Sequence, residues 1–150
     1  MKIDKEKILQ RCKEITLNKR DELNKIIDSQ KRSLEGETKS SAGDKHETGR
    51  AMIQLEMEKS GQQYLHIQNE LNTLSRIKFD DTNDVIRLGT VIRTKKVDYF
   101  IAISLGKIAI DDHTFFAISP TSPLGRLFIG KQSGDAITFN GQTICIDQVY

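Results

Sequence analysis

The sequence predicts an α+β chain in two parts. An antiparallel helical hairpin, a coiled coil, is expected over residues 1–78, and a small antiparallel β domain with one short helix over 85–150, with a linker at 79–84 between them. Three observations predict this. Residues 4–34 contain neither Pro nor Gly and repeat apolar residues at helical intervals. Residues 53–74 repeat apolar residues at the same intervals, with Gly61 as a local weak point. Beyond residue 84 the period shortens to two, and turn residues punctuate short apolar runs.

In the first helix the apolar seam reads Ile8, Cys12, Ile15, Leu23, Ile26 and Leu34, with Lys19 and Gln30 in the slots between. Such a narrow stripe on a densely charged segment marks an amphipathic helix with a solvated outer face. Residues 35–43 are polar and carry Gly36, Ser40, Ser41 and Gly43, which predicts a break in the seam and puts the hairpin tip near 35–47. The second seam is Ile53, Met57, Ser60, Tyr64, Ile67, Leu71 and Leu74, alternating steps of four and three. Two narrow stripes joined by a short polar turn satisfy each other as an antiparallel pair, so a dimerisation module needing a partner helix is disfavoured and a monomer is expected. About 30 helical residues give a stalk of roughly 45 Å, a form suited to reaching or bridging.

In the second half, strands are expected over 85–94, 98–105, 107–110, 115–118, 136–139 and 143–149. Asn140-Gly141 is a hairpin turn signal. Pro123, Leu124, Leu127 and Phe128 predict one short helix, with Pro at its first position.

Composition excludes several classes of function. The chain has 150 residues, 37% hydrophobic and 29% charged, with a net charge of +2. Residues 1–79 hold 16 Lys/Arg and 13 Asp/Glu, and residues 80–150 hold 7 and 8, so neither half is a polybasic arm for free nucleic acid. Cys12 and Cys145 provide neither a disulfide framework nor metal-ligand spacing. Buried free thiols fit a reducing cytosol, and a cytoplasmic location is expected. The charged start, Met1-Lys2-Ile3-Asp4-Lys5-Glu6, does not read as a signal peptide, and no apolar run approaches membrane-spanning length, so no membrane is expected as partner.

Two motifs carry chemistry. The first is Gly43-Asp44-Lys45-His46-Glu47, at the tip. One reading is structural: Asp at a helix N-cap with Glu three residues on makes a capping-box-like arrangement, favoured also by the helix dipole. The other is functional: two exposed carboxylates share a Mg²⁺, which often takes only one or two protein carboxylates and leaves positions for water and phosphate. Such a site binds Mg²⁺ weakly by itself and becomes competent beside another metal, as in two-metal phosphodiester hydrolysis completed in trans. His46 between the acids reads as an unliganded surface residue, and Glu35 and Glu37 as solvated loop acids.

The second motif is Ser122-Pro123-Leu124-Gly125-Arg126, followed by Gly130-Lys131 and Gly134-Asp135. Locally these residues are scaffold: Pro123 starts a helix, Gly130 ends it, and Gly134-Asp135 turns into a strand.

The two motifs, in this order, resemble the Gre family of bacterial transcript cleavage factors, and the resemblance covers nearly the whole chain. Asp44 and Glu47 match the family's Asp-x-x-Glu at the tip. Ser122 to Arg126, Gly130-Lys131 and Gly134-Asp135 match its C-terminal domain in order and spacing. The resemblance implies a transcription elongation factor that binds RNA polymerase and inserts its coiled coil into the secondary channel. There Asp44 and Glu47 would help hold a shared Mg²⁺ and orient water for cleavage of backtracked RNA. The chain would then be a catalytic helper and not an enzyme on its own, with no stably bound cofactor. It would meet the nascent RNA 3′ end only within the complex, and DNA only indirectly. The C-terminal domain is expected to be FKBP-like and to dock on the polymerase, with Ser122, Pro123, Leu124, Gly125 and Arg126 as candidate partner-binding residues. The family continues its tip with Asn-Ala-Glu-Tyr, whereas this chain has Thr48-Gly49-Arg50-Ala51. A non-cleaving channel regulator is therefore the alternative. An FKBP-like prolyl isomerase or chaperone is less favoured, because there is no Trp and Tyr99, Phe100, Phe115 and Phe116 read as sheet core.

Overall fold

A computed structural model describes residues 3–39, 43–79 and 84–150, except for the side chains at 38–39 and 43–46. The chain is α+β, with a long N-terminal helical hairpin followed by a β domain that holds one short helix. Two compact units emerge from its internal contacts: Glu14–Leu71 is one, and Met1–Lys13 with Asn72–Tyr150 is the other.

Helix α1 spans Lys5–Lys39 and α2 spans Gly43–Ser75. Asp4 opens α1, its Oδ1 accepting from the Lys7 N–H at 3.3 Å. The break expected over 35–43 is shorter than the sequence suggests. Gly36 lies inside α1. A single helical Gly costs about 1 kcal/mol, which the helix-forming neighbours Leu34, Glu35, Glu37 and Lys39 offset. Glu35 and Glu37 are therefore helical, not loop acids, and Glu37 is half-buried. Residues 40–42 of the tip lie outside the described residues, as do 80–83 of the linker.

The seam of α2 follows the expected register. Ser60, Ile67 and Leu74 are buried, and Ile53, Met57, Tyr64 and Leu71 are half-buried. In α1 the seam departs from expectation midway. Thr16 is fully buried where Ile15 was expected, and Ile27 turns inward while Ile26 is 51% exposed. Lys19 is exposed, and its slot passes to the half-buried Arg20. From Ile8 the inward residues advance by fours through Cys12, Thr16 and Arg20, then alternate three and four through Leu23, Ile27, Gln30 and Leu34. Successive steps of four drift from a strict 3.5 repeat toward the relaxed helical period, which carries the stripe one residue round the helix.

The second half forms β1 (Val91–Arg93), β2 (Asp98–Ile101), β3 (Gly106–Ile110), β4 (His113–Ile118), α3 (Pro123–Phe128), β5 (Ala136–Phe139), β6 (Gln142–Cys145) and β7 (Gln148–Val149). Five strands make one sheet in the order β3-β4-β2-β1-β7, and β5 and β6 make a two-stranded ribbon. The main sheet is not wholly antiparallel: β4 returns between β3 and β2 and runs parallel to β2. The strand expected over 85–94 reduces to β1, because Gly89 turns the chain at φ +92° and Val85 makes only an isolated bridge to Gln132. The strand expected over 143–149 divides between ribbon and sheet at the buried Ile146. Asn140 and Gly141 both take positive φ, 51° and 77°, as their hairpin requires.

Strand register separates two buried faces. Ile92, Tyr99, Ile101, Ile118 and Val149 pack with Phe128 and Leu124 of α3 and Ile137 and Ile144 of the ribbon. Val91, Phe100, Ile108, Phe115 and Ala117 are buried on the opposite face. The same compact unit buries Ile8, Leu9 and Cys12 at the start of α1 and Leu74 and Ile77 at the end of α2. Lys5 ties these parts together: its Nζ donates to the Tyr150 carbonyl at 2.8 Å and stands 4.8 Å from the Phe79 ring centroid. Among the described residues, no helix is long and apolar enough to cross a membrane.

Candidate functional site

At the hairpin end, positions 44 and 47 fall in the first turn of α2, which begins at Gly43. Residues three apart on a helix share a face, with Cβ atoms about 5–6 Å apart. That register suits two carboxylates turned toward one hard cation, and also suits acids at a positive helix terminus. Glu47 is exposed, whereas the side chains of Asp44 and His46 lie outside the described residues. Among the described residues no three His, Cys, Asp or Glu side chains cluster in a way that could hold a metal ion.

The residues after the acidic pair have a structural consequence that the sequence did not disclose. A Cβ at Gly49 would lie 3.2 Å from the Glu37 carboxylate. The bare Gly49 thus leaves room for the Glu37 carboxylate, and a half-buried acid lies beside Thr48-Gly49-Arg50. Thr48 and Arg50 are exposed.

In the β domain the motif beginning at Ser122 is an interlocked cap. Ser122 Oγ donates to the Ser119 carbonyl at 2.6 Å and accepts from the Gly125 N–H at 3.1 Å. A Cβ at Gly125 would fall 1.9 Å from the Ser119 carbonyl oxygen, so only glycine fits. Gly125 is buried and Leu124 packs on the core. Of the five residues singled out for docking, Ser122, Leu124 and Gly125 therefore hold the turn together. Pro123 and Arg126 are exposed, and Arg126 makes no ion pair with a described residue. Leu127 and Ile129, at 37% and 39% exposure, stand on the same short segment and were missed; as members of an apolar helix pattern they read as core.

The downstream glycines are also scaffold. Gly130 at φ +84° donates its N–H to the Ile86 carbonyl, and Gly134 at φ +92° donates to that of Ile146. Asp135 Oδ2 accepts from the Gln132 N–H at 2.9 Å and closes the turn.

A third cluster was not legible in the sequence. His113 Nε2 lies 2.5 Å from Asp98 Oδ2, and Arg93 Nε lies 3.4 Å from the same oxygen. The His113 ring stacks on Phe115 with centroids 4.4 Å apart. Register creates this cluster: Arg93 pairs with Asp98 across β1 and β2, and Asp98 pairs with Phe115 on β4.

No protein-family model matches the chain, and no curated protein matches it. Among solved structures, the transcription factor Gfh1 is similar, with 17% identity and a TM-score of 0.36 over 90% of this chain and 89% of that one. Likeness at that level is too slight to carry a functional argument, which has to come from the chain's own residues.

Proposed function

We propose that this chain is a transcription factor that binds RNA polymerase, inserts its helical hairpin into the secondary channel and stimulates cleavage of backtracked RNA. The observation that carries the reading is the coincidence of motif and architecture. The one Asp-x-x-Glu that follows a Gly in the Gre-like manner occupies the first turn of α2, at the hairpin connection. The ordered matches from Ser122 to Asp135 support it, since each falls at a cap or turn that fixes the same short segment.

In this mechanism the β domain docks through its exposed α3 segment, Pro123, Arg126, Leu127 and Ile129. The hairpin then delivers Asp44 and Glu47 to the polymerase active site. Bound there, Mg²⁺ supplies Lewis-acid stabilisation of the phosphodiester undergoing attack. The two carboxylates hold and orient; the polymerase provides the substrate and the remaining ligands. The chain is a helper, not a nuclease by itself.

A second reading is favoured by one observation. Gly49 packs against Glu37, and Arg50 places a cation beside the acidic pair, where the Gre pattern has a further acid and an aromatic. Such a tip fits occupation of the channel without cleavage.

Insertion is tested by photocrosslinking from position 48. In a Thr48→Cys, Cys145→Ser chain, a thiol-directed photoreactive probe labels the tip alone. Burial pushes the Cys12 thiol up to about 12, against a smaller opposing effect of Arg11, so it stays protonated and unreactive near neutral pH. Crosslinks from the probe to the RNA 3′ end or to active-site segments of a backtracked complex are expected. Firm polymerase binding with crosslinks only to the outer surface would contradict insertion under either reading.

A further inference from the structure

Residues 80–150 carry one more acid than base, yet four of their seven Lys and Arg line a single cleft of about 790 Å³. Arg93 comes from β1, Lys95 and Lys96 from the loop before β2, and Lys107 from β3, with His113 at the start of β4. Gathering like charges is unfavourable in itself, and an excess of one sign within a cleft favours a counter-ion there.

Two acids, Asp98 and Asp147, line the same cleft, so four cations against two carboxylates leave it a formal charge of +2. Asp98 is engaged by both Arg93 and His113. Lys95, Lys96 and Lys107 are exposed and make no ion pair with a described residue. The Asp98 contact to Nε also fixes the Arg93 guanidinium in the wall of the cleft, at 26% side-chain exposure. Three exposed ammonium groups and one anchored guanidinium among the lining residues combine point-charge and directional donors, the pairing suited to phosphate oxygens.

We propose that this cleft binds a compact polyphosphate group, a di- or triphosphate. Two features select that chemistry. Val97 and Phe116 are the only apolar side chains among the lining residues, so there is little surface to hold an acidic peptide by its side chains, and affinity must come from dense charge. Of the other cations of this half, Arg87, Arg126 and Lys131, none is in the lining, so the cleft itself offers four cations and no more to a nucleic-acid backbone. The volume falls in the range of small-molecule sites. The proposal stands apart from polymerase binding, and its test contains no polymerase.

The test is calorimetric titration of the full chain with sodium tripolyphosphate at low ionic strength. The Lys95→Gln/Lys96→Gln/Lys107→Gln variant runs alongside, with its thermal midpoint as the folding control; all three sites are exposed, so the midpoint is expected to hold. Saturable binding is expected, weakened about tenfold or more in the variant. A nucleoside triphosphate, a hexaglutamate peptide and a short RNA lacking terminal phosphates form the remaining arms. Tighter binding of the nucleoside triphosphate than of tripolyphosphate would support the site with a nucleotide as its source, and equal or weaker binding would support it with the free polyphosphate. Absence of tripolyphosphate binding, equal affinity in the variant, or tighter binding of hexaglutamate or the RNA would overturn the proposal.

Discussion

Gly125 shows how a motif that reads as a signature of recognition can be a requirement of packing. Its missing Cβ leaves room for the Ser119 carbonyl, which Ser122 also uses as an acceptor. Replacing Gly125 with Ala forces that carbonyl or α3 to move, and α3 carries the fully buried Phe128 into the core. A loss of about 1–3 kcal/mol is expected, read as a lower denaturation midpoint in urea. Arg126→Ala, one residue on and exposed without an ion pair to a described residue, is expected to change stability by less than about 0.5 kcal/mol. A Gly125→Ala chain as stable as wild type would show that the turn relaxes freely and that its glycine is not structural. Ser122 and Gly125 are legible in sequence as cap and turn residues. The close approach that makes Gly125 obligatory is not, because the Ser119 carbonyl meets it only once the turn has formed.

At the scale of elements, legibility depended on how far neighbouring residues compete for the same slot. In α2 most seam residues have no apolar neighbour, and where Met52 adjoins Ile53 and Leu65 adjoins Tyr64 the alternating steps of the others settle the register. In α1 the pairs Ile15-Thr16 and Ile26-Ile27 each give two candidates, and apolarity cannot choose between adjacent positions. A run of four-residue steps from Ile8 to Arg20 decides in favour of Thr16 and Ile27. Ile27→Ala is accordingly expected to cost about 1–2 kcal/mol for a half-buried aliphatic chain, and Ile26→Ala less than about 0.5 kcal/mol. Paired urea denaturation of the two variants checks this, and the reverse ranking would restore the seam through Ile26. In the β domain, Asn140-Gly141 announces its turn, whereas the turn at Asp111 (φ 52°) places a non-glycine residue in the left-handed region and gives less warning. The parallel pairing of β2 with β4 follows from insertion of β4 beside β2, a choice made by the sheet as a whole.

For the whole molecule, the fold class was legible because its two periodicities occupy separate stretches of chain. The acidic pair was legible as a motif near a turn; its reading as N-cap and third residue shifts inward, because α2 already begins at Gly43. The exposed Leu127 and Ile129 were hidden by their own hydrophobicity, and the Arg93–Asp98–His113 cluster by its origin in three strands. The account joins the two units by function: one presents a surface for docking, and the other presents Asp44 and Glu47. Its central claim is that these carboxylates act on the polymerase's RNA and are more than helix-terminal acids. The measurement that tests it most directly is transcript cleavage in Mg²⁺ by a stalled, backtracked elongation complex of the cognate polymerase, with wild type and with Asp44→Ala/Glu47→Ala. The account predicts RNA shortening by wild type that disappears in the double variant while polymerase binding persists. Full shortening by the double variant, or none by wild type despite demonstrated binding, would contradict it; the second result would leave a channel regulator whose acidic pair serves only to start α2.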